Sequence, residues 1–179
     1  MMKSYSWSYK LLHWMMAVLI ILMFFALQGF SPEMSDADRT EMLIGHSSIG
    51  TVITLLMLLR VGKRFIRKHE QPKQNLTLKR EIAAKLMHYA LYVLMILVPL
   101  TGYLTANFHQ LPVQLFGSIS LNGSADPATF LAIRLVHSTS VMVLIALVIL
   151  HIGAALMHKF MLKDNVLYSM RPWFVKKSG

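Results

Sequence analysis

Four stretches of the chain are apolar over about the ~20 residues that a helix needs to cross a bilayer. They run about Lys10 to Gln28 (KLLHWMMAVLIILMFFALQ), Met42 to Arg60 (MLIGHSSIGTVITLLMLLR), Ile82 to Ala106 and Ala128 to Leu162. The third carries Pro99 and Gly102, which predict a kink, and the fourth exceeds the bilayer, so its ends project into headgroups or water. The first follows Lys3 and Lys10 as a signal peptide would, but ALQGF offers no small-x-small cleavage site. It is therefore read as a retained helix. Between the spans, SPEMSDADRTE is a short acidic loop, and NFHQLPVQLFGSISLNGSADP is a longer one that lies partly on the membrane surface. No internal repeat or second domain is apparent. The pattern predicts an all-α, four-transmembrane-helix bundle as one domain over residues 1–179.

Composition and charge sharpen that picture. Hydrophobic residues make up 55% of the 179 and charged ones 15%, against about 25% charged in soluble domains. The net charge of +10 could suggest nucleic acid, but its distribution argues otherwise. The N-terminus, the loop from Arg60 to Lys85 and the C-terminal tail hold 16 of the 18 lysines and arginines, leaving only Arg39 and Arg134 for the opposite side. By the positive-inside rule both termini are cytoplasmic, the surrounding partner is lipid, and no nucleic-acid partner is expected. The chain has no cysteine, so disulfides and thioether attachment of haem are excluded.

The histidines carry the candidate chemistry. His69 and His109 fall in loops and are read as solvated surface; His13, His46, His88, His137, His151 and His158 fall on the helices. Ionisable residues inside a membrane span are rare and point to function. His137 and His151 bracket HSTSVMVLIALVILH. Fourteen steps rise ~21 Å and turn about 1400°, about 40° short of four turns, so the two rings share a stripe at two depths. His46 falls at the outer depth with His137, and Gly102 is the matching position on the third helix. His13 and His88, each three residues after a lysine, fall at the inner depth with His151, as does Arg60.

Two layers of facing histidines in a four-helix bundle suit two cofactors, each ligated from two helices, and haem with two imidazole ligands meets that geometry. Small residues adjoin the ligands in GHSS at 45–48, HSTS at 137–140 and HIGAA at 151–155, leaving room for a flat macrocycle. Other readings stay open at this point. Small residues and histidines also serve ordinary helix packing. The fourteen methionines allow His–Met ligation, and zinc would need further ligands. A haem-free transporter could use the same histidines for protons or metal.

The chain resembles the bacterial cytochrome b561 family, related to the cytochrome b subunits of nickel–iron hydrogenases. The resemblance rests on LLHW at 11–14, GH at 45–46, LMHYALYVLMILVPLTGY at 86–103, His137 and HIGAALMHKFMLKDNVLYSMRP at 151–172, and covers nearly the whole chain. It implies two b-type haems, with His13 and His151 ligating the inner one and His46 and His137 the outer one. His88 is then spare. It further implies ubiquinone as electron acceptor near the inner haem, where His88 and His158 could donate hydrogen bonds and protons. Arg60 would pair with a haem propionate or the quinone, or stand as a stop-transfer charge. Arg134, one turn before His137, suits a propionate in a half-buried position, or draws an anion to the outer haem edge. One family member is a superoxide oxidase, so superoxide:ubiquinone oxidoreduction is one implied activity. A membrane subunit serving a periplasmic redox donor is the other.

Overall fold

The computed structural model describes residues 5–26, 29–66, 77–164 and 166–170. His69, the basic residues Lys3, Arg67, Lys68, Lys73, Arg171, Lys176 and Lys177, and the end of the first expected span lie outside them.

Four long helices carry the fold: α1 (Trp7–Ala26), α2 (Asp36–Ile66), α3 (Leu78–Asn107) and α4 (Pro127–Phe160), followed by a one-turn α5 (Val166–Met170). All four long helices have the length and composition to cross a membrane. They alternate in direction. Their outward faces carry large apolar side chains bare of protein, such as Phe25 (66% exposed), Leu131 (65%) and Ile149 (63%). In water such a surface would be costly; in lipid it is the solvent-facing side. Buried apolar side chains among the described residues are few: Tyr9, Met16, Met57, Ala106, Val113 and Leu144.

The helices overrun the expected spans. α2 begins at Asp36, inside the segment expected to be a loop. Ser35 explains the early start: its Oγ accepts the Asp38 N–H at 3.2 Å, as an N-cap hydroxyl does, and donates to the Asp38 carboxylate at 2.6 Å. Asp36 and Asp38 also sit where the helix dipole favours negative charge. α4 starts on an equally definite signal. Asp126 accepts from Ala128 N–H, and Pro127 occupies the first turn, where no N–H is needed. At ~1.5 Å per residue its 34 residues reach ~51 Å, longer than the bilayer core, as expected. α3 continues through Pro99 without interruption.

The long loop before α4 folds into a small antiparallel hairpin, β1 (Gln114–Leu115) with β2 (Ile119–Ser120). Its turn places Phe116 (φ 51°) and Gly117 (φ 68°) in the left-handed region. The hairpin is tied to α2: Ser47 Oγ donates to the Gln114 carbonyl at 2.8 Å, and Phe116 N–H donates to Ser48 Oγ at 2.7 Å. At the opposite end α5 closes on the N-terminal segment. Trp14 Nε1 donates to the Met170 carbonyl at 3.0 Å, and Tyr5 N–H to the Ser169 carbonyl at 3.3 Å.

The packing is uneven. α3 lies closely along α4, and α1 along α2, whereas α4 makes no extensive close approach to α1 or α2. A seam therefore runs between α4 and the α1–α2 pair, and the histidines meet across it.

Candidate functional site: two histidine layers in one seam

At the hairpin end, His46 of α2 faces His137 of α4 with ring centroids 6.3 Å apart and planes at 81°. At the α5 end, His13 of α1 faces His151 of α4 at 6.4 Å and 78°. His88 of α3 approaches the same His151 ring more closely, at 5.5 Å. The two expected depths are both present, and each joins the helices that the spacing assigned to it.

The separations test whether a metal could sit between the rings. A metal–imidazole bond is about 2.0 Å and a ring nitrogen lies about 1.1 Å from its centroid, so two imidazoles in line on one metal stand about 6.2 Å apart. The His46–His137 and His13–His151 pairs fit; the His88–His151 pair is too close. Each fitting pair supplies two nitrogens, the number that haem takes as axial ligands.

His137 is oriented for such a bond. Its Nδ1 lies 3.0 Å from the Val98 carbonyl and 3.2 Å from Thr101 Oγ1. The carbonyl can only accept, so the ring proton sits on Nδ1 and the Nε2 lone pair is free, the arrangement that metal-ligating histidines ordinarily use. Gly102 makes the ring position possible: a Cβ there would stand 3.1 Å from His137 Cε1. His46 packs edge-on to Phe30, with ring centroids 6.2 Å apart. Its Nδ1 is buried without a hydrogen-bond partner, a cost that native interiors usually avoid unless a ligand meets it.

The α5 end differs in its electrostatics. Arg60 lies at the inner depth, as its place in the sequence suggested, and its guanidinium donates to His13 Nδ1. The same guanidinium sits over the Tyr9 ring at 5.0 Å, while its Nε is buried and unpartnered. Because arginine only donates, His13 carries its ring proton on Nε2 in this arrangement. For His13 to bind a metal through Nε2, Arg60 must leave Nδ1 and the proton must move there. A carboxylate in the seam would give Arg60 the partner it lacks.

Several expectations need correction. The serines of GHSS have a part the sequence did not suggest: Ser47 and Ser48 hold the hairpin. Ser138 and Thr139 of HSTS, and Ile152, Gly153 and Ala154 of HIGAA, are exposed. Gly102 is the glycine pressed against a histidine. Arg134 is exposed rather than half-buried, and its guanidinium lies over the Phe130 ring at 5.7 Å. His109 is half-buried, not plain surface. Its Nδ1 accepts the Leu111 N–H at 2.9 Å, and its ring meets Phe130 edge-on at 4.9 Å. His158 is held by Asp164, whose carboxylate contacts its Nδ1. In the sequence Asp164 is one residue of the stretch at 151–172, with no role assigned to it. The signal for one was its place just past the end of α4, within reach of a histidine one turn and a half back.

Comparison with known proteins bears on what the seam holds. Residues 4–173 match the family model described as prokaryotic cytochrome b561. The chain is 30% identical to the probable superoxide oxidase CybB of Yersinia pestis over 186 aligned positions, covering 100% of both chains. It is 28% identical to cytochrome b561 homolog 2 of Escherichia coli (strain K12), covering 88% of this chain and 86% of the relative. It is 27% identical to cytochrome b561 homolog 1 of the same organism, covering 96% and 98%. A model spanning nearly the whole chain, full-length relatives and a four-helix membrane bundle with paired histidines agree: the chain belongs to the prokaryotic cytochrome b561 family of membrane electron-transfer proteins.

Proposed function

We propose that the protein binds two b-type haems and is a superoxide:ubiquinone oxidoreductase of the bacterial inner membrane. The observation that carries the haem part of this reading is the pair of imidazole separations, 6.3 Å for His46–His137 and 6.4 Å for His13–His151, each bridging two helices across a seam; the superoxide part rests on the likeness to a probable superoxide oxidase. In this reading His46 and His137 hold the group at the hairpin end, and His13 and His151 hold the one at the α5 end. When bound, the two haems supply one-electron chemistry: two superoxide ions give up one electron each and become dioxygen, and ubiquinone takes two electrons and two protons.

The protein's own residues divide the remaining work. The Val98 carbonyl fixes the His137 tautomer. Arg60 would release His13 when the group binds and could then pair with a haem carboxylate, offsetting the cost of its buried charge. Arg134, exposed near the outer layer, offers a cation to a small anion. His88 and His158, at the α5 end, supply hydrogen bonds and protons to the quinone oxygens. The described basic residues support an orientation with both termini cytoplasmic, because Lys10, Arg60, Lys63, Arg64, Lys79, Arg80, Lys85, Lys159 and Lys163 lie toward the α5 end and only Arg39 and Arg134 toward the hairpin.

Stopped-flow mixing of the oxidised, haem-loaded protein with superoxide tests the activity. The expected result is reduction of the b-type absorbance at a rate near diffusional encounter, followed by reduction of added ubiquinone. No reduction by superoxide would remove the oxidase reading and leave a membrane subunit that serves a separate redox donor.

A further inference from the structure

The corner between α4 and α5 holds a side-chain pair whose geometry serves two purposes at once. Lys163 adopts φ 50°, so the chain reverses and returns Asp164 beneath the last turns of α4. Asp164 N–H donates to the His158 carbonyl at 3.2 Å. Its Oδ1 accepts the Val166 N–H at 3.2 Å and so caps α5. Its Oδ2 contacts His158 Nδ1. The His158 side chain is only 13% exposed and that of Asp164 27%.

Capping needs one oxygen, and asparagine or serine would serve as well as aspartate. The second oxygen needs a different explanation. A carboxylate facing Nδ1 selects the tautomer with its proton there, steadies the ring when it becomes charged, and makes Nε2 the reactive nitrogen. The groups around the pair are cationic. Arg80 of α3 acts on the Asp164 carboxyl, Lys159 follows His158 with its ammonium over Phe160 at 4.8 Å, and Lys163 precedes Asp164. Partial burial would raise the Asp164 carboxyl, yet the His158 ring and the Val166 N–H hold it below its ordinary value. It therefore stays ionised beside the ring.

We infer that Asp164 is a positioning residue that holds His158 with Nδ1 protonated and aims Nε2 as the proton-delivering atom for a bound quinone. The inference rests on the reading that ubiquinone is reduced at the α5 end. In the step, the Nε2–H bond of the charged ring breaks and an O–H bond forms on the quinone as electrons arrive from superoxide through the protein. The ring is left neutral, and Nε2 regains a proton from water at that end.

The test uses the haem-loaded protein in detergent, reduced with dithionite, freed of excess reductant and mixed with ubiquinone-1, with reoxidation followed by absorbance. D164N keeps the cap and removes the charge. The expected result is a rate at least about tenfold lower, unchanged haem content and a pH profile displaced to lower pH. H158Q should lose as much, and the double variant no more than either. Nitrogen-15 NMR of labelled histidine should find His158 protonated on Nδ1 in the wild type and released from that tautomer in D164N. If H158Q is slow while D164N matches wild type in rate and pH profile, Asp164 is a cap alone. Losses that add in the double variant would also make its role merely structural. A wild-type rate for H158Q would remove His158 as the proton donor, and the inference with it, whereas a wild-type protein that ubiquinone-1 does not reoxidise would overturn the quinone reading itself.

Discussion

The His137 ring is held from two sides: Nδ1 hydrogen-bonds the Val98 carbonyl 3.0 Å away, and its Cε1 rests where a side chain on Gly102 would begin. Both contacts come from α3, so α3 sets the orientation of a histidine that faces α2. This makes α3 a support for the outer layer although it contributes no ring to it.

G102A tests that support. The added Cβ would stand 3.1 Å from Cε1, and the hydrogen bond to Val98 leaves the ring little room to yield. The expected outcome is loss of the outer haem with the inner one retained, read as a fall from about two haems to about one per chain by haem assay. Full haem content with an unchanged spectrum would show that the ring can move aside.

His88 and His13 compete for the role of partner to His151. The 5.5 Å separation of His88 is too short for a metal between the rings, and the 6.4 Å of His13 is suitable. H88A should keep two haems, whereas H13A should lose one. The reverse pattern would reassign the inner ligand.

Arg60 should tune the inner site. Its guanidinium is partly buried and its Nε lacks a partner. A nearby cation favours the state carrying the extra electron. R60Q should therefore lower the midpoint potential of one haem by on the order of 60 mV, a tenfold shift in a one-electron equilibrium, with haem content intact. Unchanged potentials by redox titration would place Arg60 outside the haem's electrostatic reach.

Much of this was legible in the sequence because helical geometry is regular. The 14-residue spacing of His137 and His151 placed them on one stripe, and counting from the membrane ends put His46, His13, His88 and Arg60 at their levels. What the sequence hid depends on contacts between distant segments. Ser47 and Ser48 looked like small residues beside a ligand, yet their partners, Gln114 and Phe116, lie more than 60 residues away. The hairpin itself was obscured because Phe116 occupies a left-handed turn position that its residue type disfavours. The acidic start of α2 looked like loop because its residues are polar; a helix overhanging the membrane needs no apolar face. The Arg60 bond to His13 could not be read at all, since level alone does not say which way a side chain turns.

His109 gives the outer loop a pH dependence. Burial, then the charges of Arg134 and Arg39, hold its pKa below the ordinary 6.5. The folded protein thus favours the neutral ring, whose Nδ1 accepts from Leu111. The unfolded chain binds the proton more readily, so this contribution is whole above about pH 6.5 and is lost as pH falls through the lowered folded value. Thermal unfolding should occur at lower temperature at pH 5 than at pH 7.5. H109N, whose side chain can still accept from Leu111, should narrow that difference. An equal difference in both proteins would remove His109 as its source.

The central claim is that four histidines hold two haems in one seam. The most direct measurement is the haem-to-chain ratio of the purified protein, by pyridine haemochrome with the dithionite-reduced spectrum, after expression with ample haem. The expected result is two haems b per chain, falling to one in H46A and to one in H13A. A wild-type protein without haem, or one holding a single haem that both substitutions abolish, would contradict it.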